Sequence, residues 1–161
     1  MDIIYKVPSE ISQDEINIIY SLVVRGNKVN PQTLMQRLLS SALIGYVKIN
    51  DKIVATSAIK QPTKEYRDSV FAKANVVEYA SMFDFELGFF FIEEEHRGKK
   101  IASNLCDSLC KKFVANNIYA ATRTTNFTMH RILTKNGFVP IGTQYKNRDG
   151  TADLILFIKN I

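Results

Sequence analysis

The chain predicts an α/β fold, a mixed sheet centred on a parallel βαβ unit, in the element order β-α-α-β-β-β-α-β-α-β-β. Three observations carry this. Residues 83–92 alternate apolar and polar at their start, as a strand does, and lead into residues 100–114, whose apolar positions recur every fourth residue, as on a helix. A further strand follows at 118–123, and strand–helix–strand requires parallel pairing through a right-handed crossover. Two pairs of short strands, turning at 50–52 and at 149–150, flank that unit as hairpins.

From the start, residues 2–7 alternate as a short strand that Pro8-Ser9 ends. Ser9 is the expected N-cap of a helix carrying Ile11, Ile16, Ile19, Leu22 and Val23. Gly26 is expected to stop it, and Pro31 to open a second helix with Leu34, Leu38, Leu39 and Leu43. Strands at 44–49 and 53–59 follow. The connection over 61–82 is long for a compact domain, as lids and binding loops are, and holds a short helix at 64–73. In the next strand Phe83, Phe85, Leu87, Phe89 and Phe91 share one face, and Asp84, Glu86 and Gly88 the other. Ile101, Leu105, Leu109 and Phe113 form the helical stripe behind it. A helix over 126–136 closes at Gly137, and strands at 138–146 and 151–158 end the chain.

At 161 residues, with 46% hydrophobic and 23% charged side chains, the composition suits one folded domain over residues 1–161 and excludes a disordered or low-complexity chain. No apolar run approaches the roughly 18 residues that span a bilayer, so no membrane association is expected. The opening residues carry no basic run into an apolar one, so no secretory leader is expected. Cys106 and Cys110 lie four apart on one helix, as core fillers in a reducing, cytoplasmic setting. The formal charge of +5 favours anionic partners. Because the basic residues scatter and no recognition motif appears, a nucleic-acid partner is not expected. No Cys/His/acid spacing suggests a metal. His96 is expected exposed in a turn and His130 on a helix surface. Exposed strands near the C-terminus leave room for a homodimer.

Between the central strand and its helix, three acids at 93–95 give way to Arg97, Lys99 and Lys100. Cations at a helix N-terminus oppose the macrodipole and lose roughly 0.3–1 kcal/mol each unless an anion is present. A bound pyrophosphate reverses that sign, because the free N–H groups and the dipole both favour it, and Gly98 lets the backbone approach it closely. A solvated basic turn is the alternative.

Arg97-Gly98-Lys99-Lys100-Ile101-Ala102 resembles the Arg/Gln-x-x-Gly-x-Gly/Ala motif of the GNAT superfamily of acyl-CoA N-acyltransferases. Residues 126–138, an Asn-led helix ending in Gly137-Phe138, are similar to the family's second element, and the element order matches over nearly the whole chain. The resemblance implies an N-acetyltransferase that moves an acetyl group from acetyl-CoA to a primary amine of a small molecule or peptide, by direct sequential transfer and without a metal. It implies that the backbone of Phe90, Phe91 and Ile92 holds the pantetheine arm and polarises the thioester. By the same resemblance, residues Arg97, Gly98, Lys99, Lys100, Ile101, Ala102 and Ser103 hold the diphosphate, and Asn126 contacts the cofactor arm or the substrate.

Glu86, six residues before Ile92, matches the general base of histone-modifying members. An alkylamine is mostly protonated at neutral pH, so a carboxylate there has a proton to remove. Gly88, two residues on, leaves room for substrate beside the backbone. Two positions depart from the pattern. Lys100 stands where the motif has glycine, and Leu133 where many members carry an acid-donating Tyr, so no general acid is assigned; water or Tyr145 could serve. These departures motivate a second reading, a non-catalytic acyl-CoA-binding module.

Overall fold

The computed structural model describes residues 1–26, 28–114 and 117–159. In chain order these form β1 (Asp2–Lys6), α1 (Gln13–Arg25), α2 (Pro31–Leu39), β2 (Leu43–Ile49), β3 (Lys52–Lys60) and α3 (Lys64–Lys73). Then come β4 (Phe85–Ile92), α4 (Ile101–Lys112), β5 (Ile118–Arg123), α5 (Phe127–Lys135), β6 (Val139–Lys146) and β7 (Asp153–Lys159). The strands form one seven-stranded mixed sheet ordered β1-β2-β3-β4-β5-β7-β6. β4 and β5 are parallel, in the register Phe85↔Ile118 and Glu86↔Tyr119, as the strand–helix–strand pattern requires. The chain gathers into two compact units, residues 1–61 with 88–113 and residues 62–87 with 114–161.

In the first unit the cap of α1 differs from expectation. Pro8–Glu10 make a 3-10 turn that absorbs Ser9, and the helix starts four residues on. Ser12 caps it instead, its hydroxyl accepting from the Glu15 N–H at 3.2 Å while the Glu15 carboxylate accepts from the Ser12 N–H at 3.4 Å. The spacing Ser-x-x-Glu satisfies two otherwise unpaired donors, which Ser9 has no partner to do. Pro31 takes the first turn of α2 behind an Asn30 cap. α1 and α2 bury Ile16, Ile19, Leu22, Leu34 and Leu38 with Ile44, Tyr46, Ile53, Ala58 and Phe89. Leu39 stays exposed. Val47, Val54 and Ala55 pack instead with Ile101 and Leu105 of α4. Asn50 and Asp51 both take positive φ, the two-residue turn whose twist matches a hairpin.

The second unit is organised by α3, which lies within the long connection expected from sequence. Phe71 stacks on Phe83 at 5.6 Å and meets Tyr119 edge-on at 5.2 Å. Val70, Ala74, Tyr145, Leu156 and Ile158 complete that core. β6 breaks register between Ile141 and Tyr145, and there Thr143 N–H donates to the Ala74 carbonyl at 2.9 Å, tying the end of α3 to the bulge. Cys106 and Cys110 are buried on α4 of the first unit and are not joined in a disulfide.

Candidate active site

β4 does not keep the alternation the sequence suggests. It begins at Phe85, leaving Phe83 in the α3 core, and Phe89 takes a left-handed φ of +55° in mid-strand. That conformation costs a non-glycine residue of order 1–2 kcal/mol and re-aims the side chains after it. Phe89 and Phe91 pack with the α1/α2 side, while Phe90 and Ile92 pack with Ile101 and Leu105. Gly88 and Phe89, neighbours in sequence, both meet the side chain of Lys60. Its Cε lies 2.8 Å and its Nζ 3.0 Å from where a Gly88 Cβ would stand, and its Nζ lies 4.8 Å from the Phe89 ring centre. The room expected beside Gly88 is therefore filled by Lys60, whose place at the end of β3 carries no signal in the sequence. The Ser57 hydroxyl donates to the Gly88 carbonyl at 3.0 Å and fixes the same stretch of backbone.

Past β4 the chain turns tightly. The Glu93 N–H donates to Val54, and its carboxylate takes both arms of the Arg25 guanidinium, which also lies over the Phe91 ring at 5.4 Å. Glu94–His96 form a 3-10 turn. His96 is not the exposed residue expected: its side chain is 15% exposed, its Nε2 faces Glu95 at 3.2 Å, and its Nδ1 is buried without a hydrogen-bond partner among the described residues. The short turn folds the ring inward. Arg97 Nε donates back to the Ile92 carbonyl at 3.1 Å, closing the loop onto the strand end. Gly98 has φ +76° with nothing within 4 Å of a would-be Cβ, so it adjoins open space. Lys99 is exposed. Lys100 is the N-cap of α4, not its first residue, and holds φ +61° with no side-chain cap bond. The first α4 bond runs from Asn104 N–H to the Lys100 carbonyl, so the N–H groups of Ile101, Ala102 and Ser103 precede the helical ladder. Two left-handed residues, three cations and three first-turn donors suit a phosphate group, which the dipole of α4 also favours.

In the second unit Glu86 is 5% exposed. The hydroxyls of Tyr119 and Tyr145 are buried without hydrogen-bond partners among the described residues. Burial pushes both well above the ordinary tyrosine value, and the charge of Glu86 pushes the same way. Arg67, buried on α3, pairs with Asp84 and with Asp68. Sequence reasoning missed Tyr119, whose register opposite Glu86 is set by the sheet pairing, whereas Arg67 of the long connection reads from the sequence equally as cleft lining or as packing, and the structure buries it. Asn126 caps α5, its side chain accepting from the Met129 N–H at 3.1 Å, and Leu133 is buried in that helix. His130 lies half-buried on α5, where its Nε2 meets the Arg123 carbonyl at 3.0 Å and its ring lies against Phe127 and Phe157. Among the described residues no three His, Cys, Asp or Glu side chains gather as a metal site, and no helix is long and apolar enough to cross a membrane.

A family model described as the acetyltransferase (GNAT) family matches residues 25–138. No curated protein matches the chain in sequence. Among solved structures, Escherichia coli ElaA superposes with a TM-score of 0.71 at 14% identity, covering 99% of both chains. An acyl-CoA N-acyltransferase from Pseudomonas aeruginosa gives 0.69 at 11% identity, covering 99% of this chain and 100% of its own. A variant of the spermidine N-acetyltransferase SpeG from Vibrio cholerae gives 0.63 at 13% identity, over 99% and 94%.

Proposed function

Because this chain belongs to the GNAT acetyltransferase family, we propose that it transfers an acetyl group from acetyl-CoA to a primary amine of a small molecule or peptide, as one N-acetyltransferase domain in the cytoplasm. The turn between β4 and α4 carries the proposal. Its backbone leaves the Ile101, Ala102 and Ser103 N–H groups ahead of the helical ladder, Gly98 adjoins open space, and Arg97, Lys99 and Lys100 bring positive charge. These residues fit a diphosphate in charge and in donor direction.

The backbone of Phe90, Phe91 and Ile92 holds the pantetheine arm in this reading, and the left-handed Phe89 supports it by interrupting the strand just before them. Acetyl-CoA supplies the activated acyl group. Asn126 serves the cofactor arm or the substrate beyond its cap bond. Glu86 takes the proton that the acceptor ammonium must lose. A carboxylate with low exposure, whose charge acts on two buried tyrosine hydroxyls, is shielded from bulk water, as suits a general base.

The test is release of free thiol from acetyl-CoA over a panel of primary amines. At least one amine is expected to support turnover, and Glu86→Gln to lower it by about 10²-fold or more near neutral pH. An unchanged rate in that variant removes Glu86 from the chemistry.

A further inference from the structure

Lys60 ends a strand that is buried from Ile53 onward, and it is itself only 8% exposed. It folds over the Gly88 backbone, with Nζ 3.0 Å from the Gly88 Cβ position and 4.8 Å above the Phe89 ring. An ammonium held against an aromatic face is stabilised by the ring quadrupole, which fixes the nitrogen at one place on β4. That place immediately precedes Phe90, the first of the three residues proposed to hold the thioester. The structure thus puts a primary alkylamine, the acceptor chemistry of the proposed reaction, beside the strand that would present the acyl group.

We propose that Lys60 is an acyl acceptor in its own chain, so that the protein acetylates itself at this position. The idea rests on the acetyl-CoA reading. The Lys60 ammonium first releases one proton to solvent. Its nitrogen then forms the C–N bond to the acyl carbon, the C–S bond breaks, and the departing thiolate takes the second proton from nitrogen. Ammonium and thioester thereby give amide, thiol and one free proton. The product is neutral, so the cation over Phe89 is lost.

Peptide mapping by mass spectrometry tests this on the whole chain, both as expressed and after incubation with acetyl-CoA in the absence of any amine. The expected result is one added acetyl group per chain, on the Lys60 peptide, already present in part on the expressed protein. Its rate should not change with protein concentration, because the acceptor and the site share one molecule. Lys60→Arg should lose the adduct and keep the rise in melting temperature that acetyl-CoA produces. If that variant fails to fold, the map of the unaltered chain decides. Acetyl-CoA that raises the melting temperature while Lys60 stays unmodified overturns the self-acceptor and leaves the cofactor reading intact. Adducts spread over the exposed lysines also overturn it, since they mark uncatalysed acetylation. No thermal response to acetyl-CoA overturns both.

Discussion

Lys100 holds φ +61° at the position where the family motif carries glycine. A side chain in that conformation costs roughly 1–2 kcal/mol, of which a glycine returns part to unfolded-chain entropy. Lys100→Gly is therefore expected to raise stability by about 0.5–1 kcal/mol, read as a higher midpoint in urea. Lys100→Ala keeps the strain and should show no such gain. Equal midpoints for the two variants would contradict the backbone account. The basic turn and Glu86 were legible in the sequence because motif spacing and charge reversal are local. Lys60 was not, for a lysine closing a strand reads as a solvated end until the facing strand shows a glycine for it to cover. Nor was the reversal at Phe89, since alternating Phe residues give no sign of a left-handed break.

Among the elements, two junctions lend themselves to measurement. A Cβ on Gly142 would lie 2.2 Å from the Ala74 carbonyl oxygen, and its φ is +71°. Gly142→Ala must therefore push the β6 bulge off the end of α3, at a cost of about 2–3 kcal/mol in denaturant unfolding. A change under about 0.5 kcal/mol would show that the junction yields freely. The start of α1 is tied to the sheet by Glu15, which meets Lys48 at 2.8 Å and Lys6 at 3.4 Å. The Lys48 bond, foremost, holds the carboxyl down to about 2 from its ordinary 4.5. The folded state thus binds this proton more weakly than the unfolded chain does, so the ion pair's stabilisation is complete above about 4.5 and is lost as pH falls towards 2. Glu15→Gln should flatten that part of the stability curve. A curve of the same slope would place the acid sensitivity elsewhere. Helix and strand periods made most elements readable, and α3 matched its expected 64–73 span. The cap of α1 did not, because Pro8 draws Ser9 into a 3-10 turn and the Ser12–Glu15 pair then wins on reciprocal bonding.

For the whole molecule, fold class and element order follow from the βαβ centre and its flanking hairpins, whereas the seat of β7 between β5 and β6 is seen only in the sheet, and the superposition with known acyltransferase structures over nearly the full chain agrees with the fold. The acceptor was not legible. Nor was the buried polar group that Arg67, Tyr119 and Tyr145 bring into the second unit, which α3 and the later strands gather from distant parts of the sequence. Tyr119 and Tyr145 also set an alkaline limit. Their raised folded values mean that stability present below about 10 is lost as pH rises and the unfolded chain ionises first. Titration calorimetry of acetyl-CoA into the unaltered chain and into Ser103→Glu most directly tests whether the β4–α4 turn seats a diphosphate. A carboxylate in the first turn of α4 suits the helix dipole and leaves the fold sound, but repels a phosphate. Saturable one-to-one binding is expected, weakening by about tenfold or more in the variant, a loss of roughly 1.4 kcal/mol. Equal affinity in both proteins, or no heat from either at millimolar ligand, would contradict a diphosphate seat at this turn.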